Sequence, residues 1–459
     1  MTSLDDRQQI FSALGRHWNP TAATMLAAAG RPVESHASGS RVYAEDGTDA
    51  LDFAASYGVF LVGHGNPRVA AAVTEALRQA PAAPPGTVHP ATAALVRALR
   101  EILPAGLDRF VLGCSGAEIA ETALRAVQLA RPDRHRIVVA DGSYHGKTLA
   151  ALSLLGQGNH RTPFEPLGDR LVVVPYGDAA AVRAEVAAGS VAAVFLEPVL
   201  GGAHLTVPPP GYVREVAEAC AATDTLFVAD EIQTGFGRTG RMFAVEHDGV
   251  RPDVMLLSKA LTGGFVPIGV CALSAAVADD AAGHPRWHPS LLTSGTAVTG
   301  VAVAAAAATV EEVRARDLPY RAAELGPRLT GGLAEAVRRH PKHLRGAPGI
   351  GLMAGLRTAN PAVELMVSIG MGQRGVHTGH SLNEQIAEPV LRMYPPLTCT
   401  AEEIDQALAA LEETLTWLDR QPRAMTRAAT ALLRRQYRLP PRLLLRMNRS
   451  PIRMDWQAA

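Results

Sequence analysis

Between about residue 61 and residue 310, short β-branched runs alternate with Ala-rich helical stretches, and this pattern narrows the possible folds more than any other feature. The runs are RFVLG, RIVVA, LVVVP, VAAVFLE, LFVAD, VMLLS and VPIGVCALS. They are continuously apolar rather than alternating apolar and polar. Strands of that kind are buried on both faces, so the spacing predicts an α/β fold with a mostly parallel central sheet between helices. In open sheets of this type ligands gather beyond the carboxyl ends of the strands. Before this region, residues 1–60 start with a helical stretch, and RVYA and ALDF flank a DG turn as a hairpin. After it, residues 311–420 read as a smaller α+β domain, with helices, the Gly-rich strand region GIGLMAGL and a last helix opened near Thr400 by the capping-box pattern TAEE. The expected division is therefore an N-terminal segment (1–60) that joins the small domain, a large domain (61–310), the small domain (311–420) and a basic tail (421–459).

Charge and cysteine usage remove several classes. Lys plus Arg equals Asp plus Glu at 44 each, so no global field points to nucleic acid or an anionic membrane. Cys114, Cys220, Cys271 and Cys399 are far apart and have no metal-site spacing. They read as free thiols in a reducing compartment, with no metal expected. The start, MTSLDDRQQ, is not a signal peptide, and the apolar stretch VTGVAVAAAAATV is too short and Ala-rich to span a bilayer. A soluble cytoplasmic protein is expected.

The basic residues are nearly all Arg. Only Lys147, Lys259 and Lys342 are lysines, and Lys259 ends the apolar run VMLLS. About thirty residues upstream, LFVAD ends in Asp230. A lysine at one strand end and an acid at the next suit pyridoxal phosphate chemistry. The lysine holds the cofactor as an imine, and the acid keeps the ring nitrogen protonated. A charge-assisted bond of that kind is worth roughly 1.5–3 kcal/mol. Gln233 follows three residues later and can reach the ring hydroxyl. The alternative for Asp230 is a cap on the next helix. Ser115, Gly116 and Ala117 form a turn of small residues before a helix, which can cradle a phosphate or simply be a turn. Tyr144 lies just past a strand end, as a ring-stacking or a packed loop aromatic. Lys147 reads as solvated or locally paired. Glu197 ends an apolar run, where an uncompensated carboxylate is costly and needs a partner.

Together these pieces resemble the class III, or omega, aminotransferases of the fold-type I pyridoxal phosphate enzymes. The residues that carry the resemblance are SGAE at 115–118, YHG at 144–146, EP at 197–198, DEIQTGFGRTG at 230–240, SKAL at 258–261 and LRMYPPLT at 391–398, with YGVFLVGHGNP at 57–67. It spans about residues 17–418, and the nearest branch resembles the putrescine and related diamine aminotransferases. The resemblance implies that Lys259 attaches the cofactor and shuttles protons, that Asp230 meets the pyridine nitrogen, and that Gln233 meets the ring oxygen. It places Tyr144 on the ring with His145 beside it, and Ser115, Gly116 and Ala117 on the phosphate. Thr296 would reach that phosphate from the neighbouring subunit. Tyr57 would contact substrate, Arg392 would bind a substrate carboxylate, and Glu197 would pair with Arg392 when no carboxylate is present. Two stretches depart from the family pattern: TAVTG at 296–300 stands where a Gly-rich run is usual, and MVSIGMGQRGVHTGHSLNEQ before Arg392 matches nothing in it.

The resulting expectation is a homodimer with shared active sites. It would exchange amino groups between an amine or amino acid and an aldehyde, ketone or 2-oxo acid in two half-reactions. The rival on the same scaffold is an aminomutase, a racemase or a decarboxylating transaminase, which the motifs do not exclude because the pocket selects which bond breaks. A non-catalytic binding module is the remaining alternative. The tail mixes Arg with Leu, Met and Trp456. That composition reads as a strap packed on the enzyme or as a docking site for an acidic carrier protein.

Overall fold

The computed structural model describes residues 4–28, 33–79, 89–156, 158–165, 170–202, 204–292, 299–381 and 388–422. Thr296 and the tail from residue 423 lie outside them. The helix Leu4–His17 precedes β1 (Glu34–Ser38), β2 (Arg41–Ala44) and β3 (Asp49–Phe53). β2 and β3 pair antiparallel with Val42 opposite Ala50, the hairpin that the DG turn predicts.

The seven apolar runs become β4 (Leu107–Gly113), β5 (Arg136–Ala140), β6 (Leu171–Val174), β7 (Val191–Leu196), β8 (Leu226–Asp230), β9 (Val254–Leu257) and β10 (Gly269–Ser274). They form one sheet in the order β4-β10-β9-β8-β7-β5-β6. From β9 to β6 all neighbours are parallel, whereas β10 runs antiparallel to both β4 and β9. The connection 258–268 is too short for the crossover that a parallel strand would need. β7, β8 and β9 are buried at every position. Their side chains alternate between two cores. Val194, Phe227 and Met255 pack on one face, and Phe195, Val228 and Leu256 on the other. The helix Gly116–Ala130 covers the second face through Ile119, Ala123 and Val127. The helices Tyr212–Ala222 and Gly300–Ala315 supply Val213, Val216, Val303 and Val310 to the first. Full burial of each such side chain is worth roughly 1.5–3 kcal/mol.

The later strands are β11 (Leu344–Gly346), β12 (Gly349–Ile350), β13 (Met353–Thr358), β14 (Val376–Thr378) and β15 (Val390–Met393). β13 pairs antiparallel with β11, β12 and β15, and Gly355 lies opposite Arg392. β14 instead joins β3 in parallel, with Val376 opposite Leu51. The last helix, Ala401–Asp419, carries the expected capping box. The Thr400 hydroxyl accepts from the Glu403 N–H at 3.2 Å, and the Glu403 carboxylate accepts from the Thr400 N–H at 3.1 Å. All four cysteines are free thiols. Among the described residues no helix is long and apolar enough to cross a membrane.

Candidate active site

β4, β5, β7, β8 and β9 run in one sense, so their carboxyl ends meet at one edge of the sheet. A cavity of about 750 Å³ opens there. It gathers Tyr57, Gly116, Ala117, Tyr144, His145, Glu197, Asp230, Gln233, Lys259 and Arg392. Ser115 lines an adjoining cavity of about 230 Å³, which it shares with Lys259.

Asp230 is the last residue of β8 and is buried. One carboxylate oxygen accepts from the Ile232 N–H at 3.1 Å, and the other accepts from His145 Nδ1 at 2.7 Å. Asp230 thus makes a local turn bond and also faces the cavity. Burial opposes a charge on His145. Its bond to Asp230 and the nearby carboxylates of Asp230 and Glu197 outweigh that, and its pKa rises. Lys259 is the first residue of a 3-10 turn after β9 and has φ 41°. Among the described residues its amine has no ion-pair or hydrogen-bond partner. Burial lowers its pKa, only partly countered by Glu197 and Asp230, so the neutral amine is more accessible than in an ordinary lysine.

Glu197 finds the partners its burial demands in the backbone. Its oxygens accept from the Tyr144 N–H at 2.8 Å and the Gly201 N–H at 2.9 Å. Burial pushes its pKa up to about 7, with Asp230 adding to the rise and His145 opposing it. The carboxylate makes no ion pair with Arg392. The Arg392 guanidinium instead donates to the His380 carbonyl at 2.5 Å and lies 4.5 Å from the centre of the Tyr57 ring. At the other wall the Lys147 amine lies 5.8 Å from the centre of the Tyr144 ring, and His160 meets that ring edge-on at 6.3 Å. Lys147, His160 and His380 therefore line the cavity without having been read as site residues. His380 sits in the stretch that matched no pattern, and His160 carries no motif. Lys147 is exposed, as read, and its neighbour Tyr144 was the available signal.

Ser115 caps the helix Gly116–Ala130, its hydroxyl accepting from the Glu118 N–H at 3.2 Å. Among the described residues the N–H groups of Gly116 and Ala117 have no acceptor, as is usual in a first helical turn. Gly146 lets the backbone close on this turn, because a Cβ there would lie 2.6 Å from the Ala117 Cβ.

This arrangement defines a fold-type I pyridoxal-phosphate-dependent enzyme. The profile of the family Aminotransferase class-III matches residues 27–415, and the chain belongs to that family. It is similar to a putrescine aminotransferase of Pectobacterium atrosepticum, at 34% identity over 391 residues, 83% of this chain and 82% of that protein. Among solved structures it is similar to the ornithine aminotransferase of Toxoplasma gondii ME49. The TM-score is 0.78 at 28% identity, over 84% of this chain and 91% of the other. It is also similar to an amine transaminase from an uncultivated Pseudomonas species, with TM-score 0.75 at 26% identity, over 84% and 95%. The chain is an aminotransferase whose cofactor is pyridoxal 5'-phosphate. The cavity fits that group. Gln233 Oε1 and His145 Nε2 are buried without a hydrogen-bond partner. Open helix N–H groups suit a phosphate, a fixed carboxylate suits a protonated ring nitrogen, and an unpaired lysine amine suits an aldehyde.

Proposed function

We propose that Lys259 holds the cofactor and carries the proton in both half-reactions, with Asp230 against the ring nitrogen and Gln233 against the ring oxygen. Tyr144 would cover the ring, His145 would orient Asp230, and Ser115, Gly116 and Ala117 would receive the phosphate. Bound there, pyridoxal phosphate supplies an electron sink for the substrate carbon that bears nitrogen. Lys259, with its lowered pKa, would take a proton from that carbon and deliver it to the carbon on the other side of the nitrogen. Asp230, oriented by the bond to His145, keeps its negative charge directed at one place.

One observation carries this reading: an unpaired lysine amine shares a cavity with a carboxylate whose second oxygen is fixed by a buried histidine. Lys259→Ala should fold, lose the long-wavelength absorbance of lysine-bound cofactor and lose turnover. Borohydride labelling of Lys147 or Lys342 instead, with activity intact, would overturn it.

Arg392 is the proposed carboxylate site, and Tyr57 and Glu197 its substrate-side neighbours. A 2-oxo acid is then the favoured acceptor. The name of the Pectobacterium relative supports a small amine or diamine as donor. The working unit is a cytoplasmic homodimer in which Thr296 reaches the partner's phosphate site. The division at about residues 60, 310 and 420 fits the pairing of β3 with β14 and the separate sheet around β13. For the tail, its interleaved Leu and Met favour a strap over docking of an acidic carrier.

A further inference from the structure

The segment before the cavity wall holds an unusual backbone. Ala55, Ser56 and Tyr57 have φ of 40°, 48° and 60°, and Gly58 follows at 98°. Residues other than glycine visit the left-handed region singly, because each crowds its Cβ against a carbonyl. Three in a row persist only where the surroundings over-determine them.

Asp52 and His64 supply that determination. One Asp52 oxygen accepts from the N–H groups of Ala54 at 3.0 Å and Ala55 at 2.9 Å. The other lies 2.8 Å from His64 Nε2. Both side chains are buried, each residue only 7% exposed. His64 is itself anchored on both sides of its peptide unit. It exchanges backbone bonds with Gly39 at 2.7 and 2.9 Å, and its ring centre lies 3.9 Å from that of Phe60. The turn that emerges lays the Tyr57 ring against Arg392 and its backbone partner Gly379. A Cβ on Gly379 would lie 3.2 Å from Tyr57 Cε1, and the guanidinium carbon lies 4.5 Å from the ring centre. The guanidinium carbon sits over the ring, and one nitrogen donates to the His380 carbonyl. These two contacts restrain the guanidinium, and a restrained guanidinium favours two-point binding of a carboxylate.

We infer that Asp52 and His64 are positioning residues: they hold the left-handed turn that lays Tyr57 on Arg392 and so presents that arginine to a substrate carboxylate. The inference rests on the reading of Arg392 as the carboxylate site. A pair that merely satisfied itself in the core would affect stability alike for every substrate.

The test uses the holoenzyme and glutarate, a dicarboxylate that can neither give nor accept an amino group. Asp52→Ala should weaken glutarate binding, measured by calorimetry, about tenfold and raise the KM for a 2-oxo acid in step. The KM for an uncharged amine should stay within about twofold and the cofactor absorbance unchanged, since neither uses the guanidinium plane. Asp52→Asn keeps an oxygen for Ala54 and Ala55 and should recover most of the loss. Gly379→Ala places a Cβ 3.2 Å from Tyr57 Cε1 and 3.3 Å from the Arg392 Cβ, so it disturbs the seat of the ring on the arginine and should give the same split between substrates. If Asp52→Ala fails to fold, His64→Ala probes the same pair and should give the same result. Equal changes for both substrates, or none, would overturn the inference. Should Arg392→Ala itself leave glutarate binding unchanged, the carboxylate reading is what has failed. A crystal structure of Asp52→Ala then decides the positioning role separately: a Tyr57 ring still seated on Arg392 refutes it, and a displaced ring supports it.

Discussion

Glu231, the neighbour of Asp230, offers a test of the electrostatics on which the site depends. It is fully buried. One oxygen accepts from the Val245 N–H at 2.9 Å and the other from the Thr234 hydroxyl. Among the described residues no cation pairs with it. Burial pushes its pKa from 4.5 up to about 7, against the lowering by Thr234 and by the Val245 and Ala244 N–H groups, and with a further rise from Glu246. The folded chain therefore binds a proton here that the unfolded chain has released between pH 4.5 and 7. Stability from this group is complete below pH 4.5 and is lost as pH rises through about 7. At 1.36 kcal/mol per pKa unit the loss is at most about 3 kcal/mol. Unfolding entropy of about 2.1 cal/mol/K per residue makes 1 kcal/mol worth about 1 °C in a chain of this length, so the effect is about 3 °C. Glu231→Gln keeps an oxygen for Val245 but cannot ionise. Scanning calorimetry should find the gap between variant and parent growing by about 3 °C in the variant's favour from pH 5 to pH 8. A gap independent of pH would mean that Glu231 is ionised throughout, and that the N–H and hydroxyl donors outweigh burial.

Three further outcomes follow from the proposed roles. Asp230→Asn should retain cofactor yet slow single-turnover proton transfer about 10²–10³-fold, because a neutral amide cannot stabilise the ring cation; near-normal single-turnover rates would remove Asp230 from that role. Arg392→Ala should raise the KM for a 2-oxo acid by about 10–100-fold, the worth of a charge-assisted bidentate pair, and spare the half-reaction with a simple amine. Equal loss in both would make Arg392 structural. Sedimentation should give a dimer, and an active monomer would rule out a site shared between subunits.

The large sheet was legible because its signal is local. Seven continuous apolar runs become its seven strands, and Asp230 and Lys259 stand at their ends as the runs imply. The direction of β10 was not legible, since it depends on the short connection 258–268 and not on the run itself. Glu197 shows a second limit. Its burial announced that a partner was needed, but the partners are the N–H groups of Tyr144 and Gly201, and backbone donors leave no letter in a sequence. The turn at Tyr57 shows a third. Left-handed backbone is usually marked by Gly or Asn, yet Ala55, Ser56 and Tyr57 adopt it because Asp52 and His64 hold it from outside.

The charges around the cavity bear on which substrate each half-reaction takes. Asp230 and His145 lie 2.7 Å apart and compensate one another. Lys259 is disfavoured as a cation by its burial. Glu197, at about 7, stands between its two states near neutrality. Arg392 stays charged, and the exposed Lys147 amine has no carboxylate partner among the described residues. The fixed charge near the substrate is therefore more positive than negative while Glu197 holds its proton. On the reading of Arg392 as the carboxylate site, an oxo acid brings the missing anion and favours neutral Glu197. An uncharged amine brings none, and Glu197 can then supply it by releasing its proton. With a pKa of about 7 that switch needs little: each 1.4 kcal/mol of altered field moves the protonation ratio about tenfold. Accommodation of two unlike substrates then needs a proton to move at Glu197, while Arg392 stays seated beneath Tyr57. A Glu197→Gln variant, locked in the neutral state, should keep its KM for the oxo acid within about twofold and lose affinity for the amine about tenfold. The reverse preference, measured in separate half-reactions, would refute this division of labour.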